Sequence, residues 1–192
     1  MTGLDALVLG RRNWLRLPEL RLGDGGVVDF LHEQVARGDV LLHGSNSRTI
    51  ARFEPREQTS YHGVPVRAVF ATPDPVWPLF FAVTDTDRAG SRWNMCLLPE
   101  RSGALRPRYF FSVGARPSEV WCEGAVYLLP RGEFAASDEP SEWVATRAVE
   151  PLAVVPVTAA DFPFRDRVFR HRAGEAEWRQ DLRLLRAAAV LR

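Results

Sequence analysis

The sequence predicts an α+β fold, and two observations carry that expectation. Helical patterns occur early and at the end of the chain, while short strand patterns fill most of the rest. Strands and helices also fail to alternate in the regular βαβ order that builds a parallel sheet. A length of 192 residues suits a single domain with a substantial core, or one domain with small additions.

The elements follow in order. From Asp24, GGVVDFLHEQVARG reads as a short helix. Asp24 caps it, Val27, Val28, Leu31 and Val35 share one face, and Gly38 closes it. VLLHG, beginning at Val40, reads as a buried strand that ends on His43 and Gly44. The next stretch, SNSRTIARFEPREQTSYHGVPV, is polar and turn-rich with no sustained period. A loop of that length in a small domain is more often functional than idle.

RAVFAT, residues 67–72, reads as a second strand. Asp74 and Pro75 supply the cap and first-turn proline of a helix, VWPLFFAV. Its large apolar residues, Trp77, Phe80 and Phe81 among them, belong in a core rather than on a surface. RWNMCLL, PRYFFSV, GAVYLLP, SEWVATR and EPLAVVPV follow as short strands separated by Pro, Gly and Ser signals. From Gly174, GEAEWRQDLRLLRAAAVLR has the Leu and Ala spacing of an amphipathic helix whose arginines form a solvated face.

Composition narrows the function classes. Net charge is +1, which gives no general attraction to nucleic acid or to a membrane surface. Every basic residue is arginine, in keeping with codon bias rather than a binding role. Apolar runs such as VFATPDPVWPLFFAV are cut by Pro and Asp, well short of the ~20 residues a membrane helix needs. The N-terminus MTGLDALVLGRRNW lacks the ordered regions of a secretory signal, so a soluble cytoplasmic protein is expected. Cys96 and Cys122 form no CxxC and read as two buried thiols. His32, His43, His62 and His171 lie in unrelated elements, so no metal site is expected. GxSxG, GxGxxG and P-loop patterns are all missing, so nucleotide chemistry would need another architecture.

Three marked residues sit at or near strands: His43, Phe70 and Glu142. An imidazole hydrogen-bonds a ribose hydroxyl, an aromatic face stacks on a flat ring, and a carboxylate stabilises positive charge developing at a glycosidic carbon. Cleavage of an N-glycosidic bond is the reaction class these parts serve. LLHGSN, AVFATPDPVWPLFFAV and SEWVATRAVEPLAVVPV resemble, in that order, three motifs of the ADP-ribosyltransferase fold. They are closest to its diphtheria-toxin-like and poly(ADP-ribose)-polymerase-like branch. These are a strand ending in His-Gly-Ser or His-Gly-Thr, a strand carrying an aromatic, and an acidic residue near a late strand. The rifampicin-modifying transferases and the tRNA 2′-phosphotransferases are similar in the same places.

That resemblance implies a split β-sheet core over residues 40–157, with residues 1–39 an N-terminal helical extension and 158–192 a C-terminal one. It implies NAD as substrate and a mono-ADP-ribosyltransferase, or a related NAD-consuming enzyme, with an acceptor the sequence does not name. His43 would hold a ribose hydroxyl, and Gly44 and Ser45 would approach the nicotinamide amide. Phe70 would stack on nicotinamide, and Glu142 would support ribosyl transfer. Arg52 or Arg56 would meet the pyrophosphate.

The family's usual Tyr is replaced by Phe70, which keeps the ring and loses the hydroxyl; Tyr61 is a candidate to supply it. Asp138, Glu139 and Glu142 crowd one stretch, and Glu142 is preferred because Trp143 opens an apolar strand. A non-catalytic nucleotide- or protein-binding module on the same fold, and an RNA 2′-phosphotransferase, are the rival readings.

Overall fold

A computed structural model describes residues 7–10, 13–16, 26–59, 65–97, 108–137 and 141–172. Strands β1 (Leu7–Gly10) and β2 (Asn13–Arg16) precede helix α1 (Gly26–Ala36) and strand β3 (Val40–Ser45). Next come β4 (Arg56–Thr59), β5 (Pro65–Ala71), α2 (Trp77–Val83) and the single turn α3 (Thr86–Ala89). Strands β6 (Arg92–Leu97), β7 (Arg108–Val113), β8 (Gly124–Pro130) and β9 (Ala135–Ala136) follow. The described chain ends with β10 (Trp143–Ala145), β11 (Ala153–Val157) and β12 (Phe169–Arg170). The architecture is α+β.

The chain divides into two compact units. One contains Met1–Val83 and Cys122–Pro163, the other Thr84–Trp121 and Phe164–Arg192. The first carries a five-stranded sheet in the order β2-β1-β11-β8-β3 and a four-stranded sheet in the order β4-β5-β10-β9, with all pairings antiparallel. The second carries a three-stranded sheet, β12-β7-β6, in which β12 runs parallel to β7.

Residues 1–39, read as a helical extension, contain the paired strands β1 and β2 as well as helix α1. β1 and β2 pair from Leu7↔Arg16 to Gly10↔Asn13, with β2 at the sheet edge and β1 joined to β11. Helix α1 buries Val27 and Leu31, as its periodicity requires. Gly38, at φ 87°, stops it by donating its N–H to the Val35 carbonyl. Part of the expected polar loop is strand β4, paired with β5 from Arg56↔Ala68 to Thr59↔Pro65. The same loop also sends Phe53 into the core through a bridge to Val149. Asp24 and the helix expected from Gly174 lie outside the described residues.

β8 sits between β11 and β3 and is buried along nearly its whole length, which is why GAVYLLP is continuously apolar rather than alternating. Tyr127 lies in a core cluster with Leu41, Phe53, Val69, Ala71 and Leu129. Helix α2 rests on β3 and β8 at two glycines. A Cβ on Gly44 would lie 1.9 Å from the Pro78 carbonyl oxygen, and one on Gly124 would lie 2.0 Å from that of Ala82. Both approaches are backbone to backbone, so no side-chain rotation relieves them. Asp74 caps this helix as expected. Its carboxylate accepts from Val76 N at 2.7 Å and Trp77 N at 3.0 Å, and the helix begins one residue later than the sequence pattern implies.

Candidate functional site

β3 and β5 touch through one bridge and belong to different sheets. Leu42 N donates to Thr72 O at 2.8 Å, and Thr72 N returns a bond to Leu42 O at 3.0 Å. His43 follows immediately on β3, at this fork. Its Nδ1 lies 2.7 Å from the Phe70 carbonyl oxygen. A carbonyl only accepts, so Nδ1 carries the proton and neutral His43 keeps its lone pair on Nε2. Nε2 makes no hydrogen bond to the described residues.

The ring of His43 is half-buried and meets Phe53 edge-on at 4.7 Å between centroids. Phe53 meets Tyr127 in the same way at 5.0 Å. Loss of water around the imidazole pulls its pKa below the ordinary value of 6.5, against the Phe70 carbonyl, which favours the charged form; the positive charge of Arg56 adds to the lowering. His43 is therefore neutral at physiological pH, a fixed tautomer with one acceptor to offer. That arrangement can accept a hydrogen bond from a hydroxyl without any change in protonation.

Tyr127 holds the segment behind His43. Its hydroxyl donates to Ser47 O at 3.0 Å and accepts from Ile50 N at 2.9 Å. Burial raises the phenol pKa, partly offset by the Ile50 N–H, and keeps it a neutral donor. Arg48 ties the same turn to β8, donating to Gly124 O at 3.1 Å and pairing with Glu123 at 3.0 Å. Phe53, Tyr127 and Arg48 carried no motif-level signal. They matter because the fold brings residues 27 to 80 positions apart to one imidazole and one turn.

The residues that the sequence marks divide into groups. His43 and Phe70 are joined, through the Phe70 backbone; the Phe70 side chain is half-buried and, by strand alternation, lies on the face opposite Val69 and Ala71. Trp143 pairs with Ala71, so half-buried Glu142 stands one residue beyond β10, at the end of β5 where Thr72 bridges Leu42. Gly44 has a structural role, since the Pro78 carbonyl fills the space of its absent side chain. Ser45 Oγ accepts from Ser47 N at 3.2 Å and shapes the turn.

Asn46 serves the helix. Its Nδ2 donates to the Phe81 and Ala82 carbonyls at 3.1 and 2.9 Å and lies 3.3 Å from Cys122 Sγ. Arg52 forms an exposed pair with Glu54 at 3.0 Å. Arg56 is exposed on β4 and acts on His43 by charge. Tyr61, Asp138 and Glu139 lie outside the described residues.

Among the described residues no group of three or more His, Cys, Asp or Glu side chains is placed to hold a metal ion. No helix among them is long and apolar enough to cross a membrane. No family model, curated protein or solved structure matches the chain.

Proposed function

We propose that the fork at His43 is an NAD site and that the chain is an ADP-ribosyltransferase of the split-sheet kind, releasing nicotinamide and passing ADP-ribose to an acceptor. The observation that carries this reading is the His43 imidazole. Its tautomer is fixed by the Phe70 carbonyl, its pKa is held low, and the residue follows directly on the bridge between β3 and the end of β5. A ribose hydroxyl is the partner its Nε2 acceptor suits.

Glu142 supports the reading through its place beside the end of β5. Its carboxylate would stabilise the positive charge that grows on the anomeric carbon as the bond to nicotinamide lengthens. Arg56 brings positive charge close enough to act on His43, as an anionic pyrophosphate would require. Arg52 is engaged by Glu54 on the surface and is the weaker of the two arginine candidates.

The test is nicotinamide release from NAD, with wild type compared to Glu142→Gln. Release by wild type that falls ~10²–10³-fold in the variant supports the assignment. Equal silence of the two proteins across protein, nucleic acid and small-molecule acceptors overturns the enzyme reading. One observation favours a second reading, binding without turnover: residue 70 is Phe and carries no hydroxyl. That reading predicts heat on NAD addition with no nicotinamide formed.

A further inference from the structure

The second compact unit holds a hydrogen-bonded chain of side chains that the NAD reading does not use. Ser91 Oγ lies 2.6 Å from His171 Nε2, and His171 Nδ1 lies 2.9 Å from Ser112 Oγ. His171 and Ser112 are buried, at 9% and 5% exposure, whereas Ser91 is exposed. The backbone fixes all three. Ser112 is on β7 opposite Trp93 and Phe169, and His171 follows β12 and donates its N–H to Val113 O at 3.0 Å. Ser91 N donates to Ala89 O at 2.8 Å. Gly114 keeps room for the Ser91 side chain, since a Cβ there would stand 2.8 Å from Ser91 Oγ.

This is the order of parts that activates a serine: an accessible hydroxyl, an imidazole in hydrogen-bond reach, and a third group that orients the imidazole from its other nitrogen. We propose that Ser91 is a nucleophilic serine with His171 as its base and Ser112 as a positioning residue, reactive toward small acyl esters and related electrophiles. With Ser112 accepting from Nδ1–H, Nε2 faces the Ser91 hydroxyl as an acceptor. Ser91 Oγ forms a bond to the ester carbonyl carbon as its proton moves to His171 Nε2. The ester's C–O bond breaks, and the departing alkoxide takes that proton. Water then cleaves the acyl-serine by the same path in reverse.

The test is labelling of the full chain, without NAD, by a fluorophosphonate and by p-nitrophenyl acetate, with the adduct located by peptide mass spectrometry. The expected result is one adduct, on Ser91, absent in Ser91→Ala. His171→Gln should slow labelling about 100-fold or more, the size of a lost general base. Ser112→Ala should slow it less, and Ser112→Thr, which restores a hydroxyl, should recover the rate. A purely structural Ser112 would not show that recovery. Far-ultraviolet circular dichroism separates loss of reactivity from loss of fold, and Ser91→Ala, at an exposed position, keeps the fold intact. Absence of an adduct with both reagents, or labelling of Ser91 at the same rate with and without His171, overturns the proposal.

Discussion

Two histidines, one in each compact unit, show how a fold sets what an imidazole is for. His43 gives Nδ1 to a backbone carbonyl, and Nε2 makes no hydrogen bond to the described residues. His171 is spanned by hydroxyls, Ser112 on Nδ1 and Ser91 on Nε2. A carbonyl dictates one tautomer, because it only accepts. A hydroxyl both donates and accepts, so two of them let the imidazole exchange a proton while keeping both bonds. The first arrangement leaves one fixed acceptor; the second has the parts that the proposed proton movement to and from a neighbouring serine needs. Position relative to strands follows the same division. His43 lies within β3, next to the bridge that joins two sheets, while His171 lies just past the end of β12.

The largest effect that would break this contrast comes from the carboxylate. Glu142→Gln should lower nicotinamide release by ~10²–10³-fold, while Ser91→Ala leaves it unchanged, since Ser91 belongs to the other unit's chemistry. A matching fall in both variants would mean that the two histidines serve one reaction. Next is the backbone seat of the fork. Gly44→Ala pushes a methyl group into the Pro78 carbonyl and should cost about 3 kcal/mol of unfolding free energy or more, measured in urea. Gly132→Ala, with nothing within 4 Å of the added Cβ, is the matched control and should lie within about 0.5 kcal/mol of wild type.

How much of this was legible in the sequence depends on whether the cause is local. His43, Gly44 and Asn46 were marked by their run, and all three occupy defined positions. The reasons for two of them came only with the fold: Gly44 and Asn46 seat helix α2. The Asp74 cap and the buried face of α1 were readable because a cap and a helical period are written within a few residues. The β1–β2 hairpin was not readable, since each strand is only four residues long, too short for a period to show. β4 was missed for a related reason: Arg56, Glu57 and Gln58 are exposed and show no apolar alternation, so only pairing with β5 makes them a strand. Phe53 and Tyr127 were silent because an isolated aromatic looks the same whether it fills a core or braces an imidazole.

Tyr127→Phe sharpens the account of His43 at smaller cost. It removes the hydroxyl that binds Ser47 and Ile50 and should reduce stability by about 1–2 kcal/mol, leaving the Ile50 N–H without this acceptor. The Phe53 contact persists, so the His43 tautomer should be unchanged by nitrogen-detected NMR. A switch to the Nε2–H form would show that the turn, rather than the Phe70 carbonyl, fixes the ring.

The smallest effect is the pH dependence. The folded pKa of His43 lies below its unfolded value of about 6.5, so the unfolded chain takes up the proton first as pH falls. The contribution to stability is therefore full above about pH 6.5 and declines as pH falls through the folded pKa. His43→Gln should flatten the loss of stability on acidification below about pH 6.5. The acid limb of nicotinamide release should likewise have its midpoint below 6.5, and a midpoint above it would contradict the depressed pKa.

The most direct measurement is a calorimetric titration of NAD into wild type and His43→Ala at neutral pH, with unfolding curves recorded for both. The account predicts binding heat in wild type and an affinity weakened at least about tenfold in a variant that still folds. No heat from wild type, or an unchanged isotherm in His43→Ala, would contradict the assignment of this imidazole to NAD.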